Sequence, residues 1–146
     1  MDALISVNVR PRSQASAQLA FRSIMYYIRH MTFSSYLRTT REALRKQDKG
    51  YSLRQVAQRV GIEPAYLSKV ERGEVAPPSE ATIRKLALEL HEDADVLLAM
   101  AGKVSSELQA IIRARPRLFA EVLRQLRELP DDAILRVVRE VRDGDW

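Results

Sequence analysis

Cysteine is absent from the 146 residues, which excludes disulfides and thiolate metal sites. Histidine occurs only twice, at His30 and His91, far apart in the chain. The five glycines form no Gly-rich phosphate loop, and no serine or threonine stands in a recognisable nucleophile motif. Apolar runs are short: none approaches the roughly 20 residues a membrane-spanning helix needs. The one metal-like cluster, His91-Glu92-Asp93-Ala94-Asp95, follows a helical run and precedes VLLAMAG. Its acids suit the start of the next helix, where the dipole favours them. The expectation is a protein that is not an enzyme, with no metal site and no cofactor. Repeats and low-complexity tracts are missing as well.

What is present is a 46% apolar content, enough for one compact core or a small domain with an appendage, and a formal net charge of +5. The charge is unevenly spread. Residues 34–72 carry nine Lys or Arg against four acids, residues 73–103 three against six, and residues 104–146 eight against eight. A local positive excess is what a surface meeting phosphates requires.

That excess coincides with the most informative stretch, SLRQVAQRVGIEPAYLSKVERG, from Ser52 to Gly73. Ser52 with Gln55 three positions on reads as a capping box, so a helix starts at about Ser52. Leu53, Val56, Ala57 and Val60 fall at i, i+3, i+4 and i+7, turning one stripe to a core and Arg54, Gln55, Gln58 and Arg59 to solvent. Ala57 supplies the small side chain that two closely crossing helices need. Gly61 ends the helix, because glycine adopts a left-handed terminal conformation at little cost. Pro64 suits a first helical position. The second helix runs to about Arg72 and buries Leu67 and Val70, with Ala65, Tyr66, Ser68, Lys69 and Arg72 pointing away. Tyr66 is equally readable as a ring covering the core edge.

This string resembles the helix-turn-helix of the Cro/CI-type (lambda-repressor-like, xenobiotic-response-element) family of transcriptional regulators. The matching positions are Ala57 and Gly61 at the helix crossing, Leu67 and Val70 in the core, and the Glu71-Arg72-Gly73 ending. More loosely, the resemblance extends from about Leu37 in LRTTREALRK to about Ala99, beyond SEATIRKLALELHEDADVLLA. It implies an all-α fold: a lambda-repressor-like five-helix DNA-binding bundle, here with a C-terminal helical extension. It also implies that the second helix of the motif lies in the major groove of double-stranded DNA. Pro64, Ala65, Ser68 and Lys69 are then nearest the bases, while Tyr66, Arg72, Ser52 and Arg54 approach phosphates.

Three features differ from the family's usual pattern. Pro64 and Ala65 stand where many relatives carry glutamines, so they offer apolar contact only, for instance with a thymine methyl, and base discrimination falls on Lys69 and Ser68. Glu63 occupies a position where a serine or threonine cap is usual; it suits the helix dipole but repels a nearby phosphate. The link RKQDKGY is a few residues longer than usual, and its Lys46 and Lys49 are candidates for backbone contacts or for simple solvation.

The remaining chain divides into a leader, 1–32, and an extension, 103–146, around a DNA-binding domain at 33–102. Residues 1–30 hold a single acid, Asp2, four arginines and several serines. This composition imitates a transit peptide, but the expectation is a flexible extension or an overcalled start, with a DNA-gripping basic arm as the alternative. Phe33, Tyr36, Leu37 and Leu44 mark the first helix; Ser79 caps one carrying Ile83, Leu86, Ala87 and Leu90; Val96, Leu97 and Met100 supply another, closed by Gly102. Beyond Ser105 the apolar spacing stays helical, broken at Arg115-Pro116 and restarted at Pro130-Asp131-Asp132. So wide a stripe packs either on its own bundle or on another subunit.

The function expected is a cytoplasmic, sequence-specific DNA-binding regulator of bacterial or phage type, a repressor acting as a homodimer on a palindromic operator. Ile112, Phe119, Val122 and Leu126 are the candidate dimer or partner surface. The alternative is an antitoxin or protein-interaction module whose C-terminal helices bind a partner protein such as a toxin.

Overall fold

The computed structural model describes residues 29–146 and, before them, Arg22, Ser23 and Tyr26. The readings of the leader as flexible, overcalled or DNA-gripping lie outside the described residues. Among the described residues from 33 onward the chain is helical, without strands, and no helix is long and apolar enough to cross a membrane.

Among the described residues from 33 onward, the first unit holds five α-helices: α1 (Phe33–Gln47), α2 (Leu53–Val60), α3 (Pro64–Glu71), α4 (Glu80–Leu90) and α5 (Ala94–Met100). The starts of all but α3 are fixed by short polar side chains that accept backbone N–H groups otherwise lacking a partner. The Thr32 hydroxyl accepts from Ser35 N–H at 3.1 Å, Ser79 from Thr82, and the Asp93 carboxylate from Asp95 at 2.8 Å. Asp93 thus caps α5, the role the sequence assigns to the acids after His91. Gly61, at φ 81°, ends α2. His91, at φ 57°, ends α4 in the same left-handed conformation without being glycine.

The link between α1 and α2 is a single 3-10 turn, Lys49–Tyr51. The Asp48 carboxylate starts it by accepting from Gly50 N–H at 2.7 Å. The Arg59 guanidinium donates to Gly50 O at 2.9 Å, lies 5.4 Å from the Tyr51 ring centroid and pairs with Glu89 at 2.6 Å. This link is therefore fastened to α2 and, through Arg59, to α4.

The core draws on every helix: Phe33 and Leu37 from α1, Val56, Ala57 and Val60 from α2, Leu67 and Val70 from α3, Ile83, Leu86, Ala87 and Leu90 from α4, and Leu97 and Leu98 from α5. Ala57 is fully buried, as a close crossing of α2 and α3 requires. In α5 the buried pair is Leu97 and Leu98, whereas Val96 is 37% exposed. Leu97 and Met100 face the core as the sequence register places them, and Leu98 takes the third place instead of Val96 in this two-turn helix. The Lys103 ammonium donates to Pro78 O at 2.6 Å and ties the end of this unit to the loop before α4.

The second compact unit, Ser106–Trp146, contains α6 (Ser106–Ala114), α7 (Pro116–Arg127) and α8 (Asp131–Asp143). Arg115, at φ −140° and ψ 61°, breaks the helix before Pro116, and Pro130 stands at the start of α8. None of the three helices contains a buried residue.

Candidate nucleic-acid interface

Helices α2 and α3 form a unit because the turn between them is closed by backbone bonds. Gly61 N–H and Ile62 N–H both donate to Ala57 O, at 2.9 and 3.0 Å, and Pro64 sets α3 at its first position. Packing of Leu67 and Val70 then decides which side of α3 remains outside.

A second device fixes the far end of α3. Arg41 of α1 and Glu71 of α3 are both buried and face each other in a two-pronged ion pair, Nε to Oε1 at 2.6 Å and a terminal nitrogen to Oε2 at 2.8 Å. A third bond runs from Arg41 to Tyr51 O at 3.3 Å. The Glu71 carboxylate holds the Arg41 guanidinium above its ordinary pKa, against the opposing effect of burial. Parallel guanidinium–carboxylate bonds carry direction as well as energy, so they set the rotation of α3 relative to α1. Because both charges are internal, one cation and one acid drop out of the surface balance and the local positive excess is unchanged.

On the outward side, Arg54 stands exposed on the first turn of α2, and Ala65, Lys69 and Arg72 stand exposed along α3 and its end. Pro64 is half-buried at the helix start. Ser52 caps α2 through Gln55 N–H at 3.4 Å, and its hydroxyl donates to the Gln55 side-chain oxygen at 3.0 Å. The glutamine thus accepts from the serine instead of reaching back to the backbone. Tyr66 and Ser68 are half-buried, and Tyr66 packs against the core. The ring is a core-edge residue with one side left to solvent.

Ser68 and Arg72 are brought together: Arg72 donates to the Ser68 hydroxyl and grips Glu74 with two nitrogens, at 2.6 and 3.0 Å. The Glu74 carboxyl is held below its ordinary pKa, first by that bond and further by the charges of Arg72 and Lys69. Glu63 makes no side-chain cap bond and is exposed beside Pro64. The face is therefore cationic with an acid at each end.

Sequence reasoning missed Glu74 and the Arg41–Glu71 pair. The pair had a signal: Arg41 lies four residues after Leu37 and Glu71 four after Leu67, which puts a charge on each buried stripe. Glu74 had none, because its position depends on the turn at Gly73. In the second unit, Ile112, Phe119 and Leu126 are half-buried and Val122 is 48% exposed.

Residues 32–97 match a family model described as a helix-turn-helix domain. Comparison with curated proteins and with solved structures gave no match. The matched segment spans α1 to α4 and enters α5, and so contains the α2–turn–α3 unit and the buried pair that orients it. Over residues 32–97, under half of its length, the chain is thus similar to a helix-turn-helix domain of the Cro/CI-like class.

Proposed function

We propose that the protein is a sequence-specific DNA-binding transcriptional regulator, a repressor that acts as a homodimer on a palindromic operator. The observation that carries this reading is the outward face of α3: a proline-started helix of a helix-turn-helix domain, oriented from inside, with Ala65, Lys69 and Arg72 exposed. Arg72, Arg54 and the start of α2 at Ser52 neutralise phosphates and fix register, and Lys69 with Ser68 then compares base edges. Pro64 and Ala65 contribute apolar contact. Tyr66, anchored on the core, presents only its rim to the backbone.

Dimerisation is proposed to reside in α6–α8. Among their apolar residues Leu118 is 65% and Val141 63% exposed, and the unit carries equal numbers of basic and acidic side chains, a balance suited to a second copy of itself. One motif reads only a few base pairs; two recognition helices about 34–36 Å apart read a palindrome. The exposed apolar residues equally support a second reading, in which α6–α8 hold a different protein, as in an antitoxin. No catalytic step and no cofactor enters either reading, and the place of action is proposed to be the cytoplasm.

Selection of bound sequences from random duplex DNA by the full chain tests the first reading. A palindromic consensus supports a dimeric regulator; recovery of unenriched sequence removes it. Sedimentation of the full chain beside one ending at Ser105 tests the extension. A dimer that survives the truncation removes the dimerisation role of α6–α8.

A further inference from the structure

The acid at the C-terminal end of α3 has a place that the helix ending dictates. Gly73, at φ 69°, turns the chain back, with Gly73 N–H bonded to Val70 O at 3.1 Å and Glu74 N–H to Lys69 O at 3.0 Å. This is a Schellman-type closure, and it sets the residue after the glycine over the last turn of the helix. Glu74 consequently meets Arg72 in a parallel two-bond geometry, at 2.6 and 3.0 Å, while Ser68 takes the third guanidinium nitrogen. A planar guanidinium grips carboxylate and phosphate oxygens in the same forked way. The side of Arg72 suited to a DNA phosphate is thus already filled by a carboxylate of the same chain.

We propose that Glu74 is an internal stand-in for a DNA phosphate, which holds Arg72 in the free protein and has to be displaced when a duplex docks. This rests on the DNA-binding reading of the α3 face. Glu74 is then an affinity-setting residue of that face: its carboxylate competes with phosphate for Arg72 and, once displaced, repels the strand it yields to. The effect is independent of base sequence, because phosphates are common to all duplexes. Lys69 adds to the attraction that keeps the carboxylate in place. The loss of Glu74 therefore raises affinity for every duplex alike and leaves the preference between sequences unchanged.

The test is binding of the full-length protein to a mixed-sequence duplex over a range of salt, for the parent, Glu74→Gln, Arg72→Ala and the double variant. Glu74→Gln should bind about two- to fivefold tighter at low salt, the span of an exposed ion pair. Its advantage should shrink as salt rises, because salt screens both the competition of the carboxylate for Arg72 and its repulsion of the strand. In the Arg72→Ala background the same substitution should give no more than a small residual gain. Equal affinities of parent and Glu74→Gln would overturn the proposal, and so would an undiminished gain without Arg72, which would make Glu74 a distant charge only. Failure of the parent to bind any duplex at low salt would remove the DNA reading and this inference with it. Glu74 is exposed and makes no core contact, so an unchanged unfolding midpoint keeps the comparison free of folding effects.

Discussion

At the scale of single residues, the side chains divide between those that aim the α3 face and those that use it. Lys69 uses it. Lys69→Ala should weaken binding to the selected duplex by about 1–3 kcal/mol more than to a shuffled one, the worth of a base contact. Equal losses on both would make Lys69 a phosphate contact. Arg41 and Glu71 aim the face. Glu71→Gln leaves the Arg41 guanidinium buried without its counter-charge, and urea unfolding should register a loss of about 3–5 kcal/mol. Tyr36 and Glu92 give a pH signature. The Tyr36 hydroxyl donates to Glu92 Oε2 at 3.0 Å. Burial, followed by the Glu92 charge, pushes the Tyr36 phenol from 10.0 to about 12. Burial likewise raises the Glu92 carboxyl above 4.5, against the Tyr36 bond. A raised carboxyl favours the protonated folded state, so this contribution is complete below 4.5 and is lost as pH climbs through the raised value. Glu92→Gln keeps an acceptor for Tyr36 without a half-buried charge. It should therefore stabilise the protein at neutral pH, lose that advantage in acid, and bring the phenol titration down while leaving it above 10.0.

At the scale of elements, what the sequence made legible was whatever local chemistry decides. The α2–α3 unit follows from Ser52, the Leu53-Val56-Ala57-Val60 stripe, Gly61 and Pro64, each of which acts within a few residues of itself. The breaks at Arg115-Pro116 and Pro130 were legible for the same reason. Gly61 offers the cleanest check: a Cβ added there meets no atom within 4 Å, and φ is 81°. Gly61→Ala should cost about 1–2 kcal/mol, from the left-handed backbone alone. Gly61→Asn should cost less, because asparagine visits that region more readily. A loss well beyond this range would mean that the turn is held by more than its dihedral angles. What the sequence concealed depends on distant partners. Arg59 looked like a solvated charge and is instead fastened to Gly50 and Glu89, 9 and 30 residues away. Tyr66 was readable both ways from the sequence, and only its distant neighbours decide that the core edge claims part of its ring. Leu98 is buried where Val96 was expected, because a two-turn helix gives the apolar period too few repeats to fix its phase. On the candidate site, the identities of Ala65, Lys69 and Arg72 as exposed residues were legible, whereas the grip of Glu74 on Arg72 required the turn at Gly73 to be seen.

At the scale of the whole molecule, the positive excess of residues 34–72 predicts binding that is strongly electrostatic. A dimer with about 6–10 phosphate contacts should lose roughly 10³–10⁵ in affinity between about 50 and 200 mM salt. A shallow dependence in a binding titration would argue for fewer contacts and against two engaged motifs. The charge-balanced unit of α6–α8 should contribute little to that slope except through dimerisation. The central claim is that the outward face of α3 meets the duplex. Amide chemical shifts, followed while the selected duplex is added to the full chain, test it most directly. The account predicts that the largest changes fall between Ala65 and Arg72, with a second group at Ser52–Arg54. Changes confined to Ser106–Trp146, or none at all in α3, would contradict it.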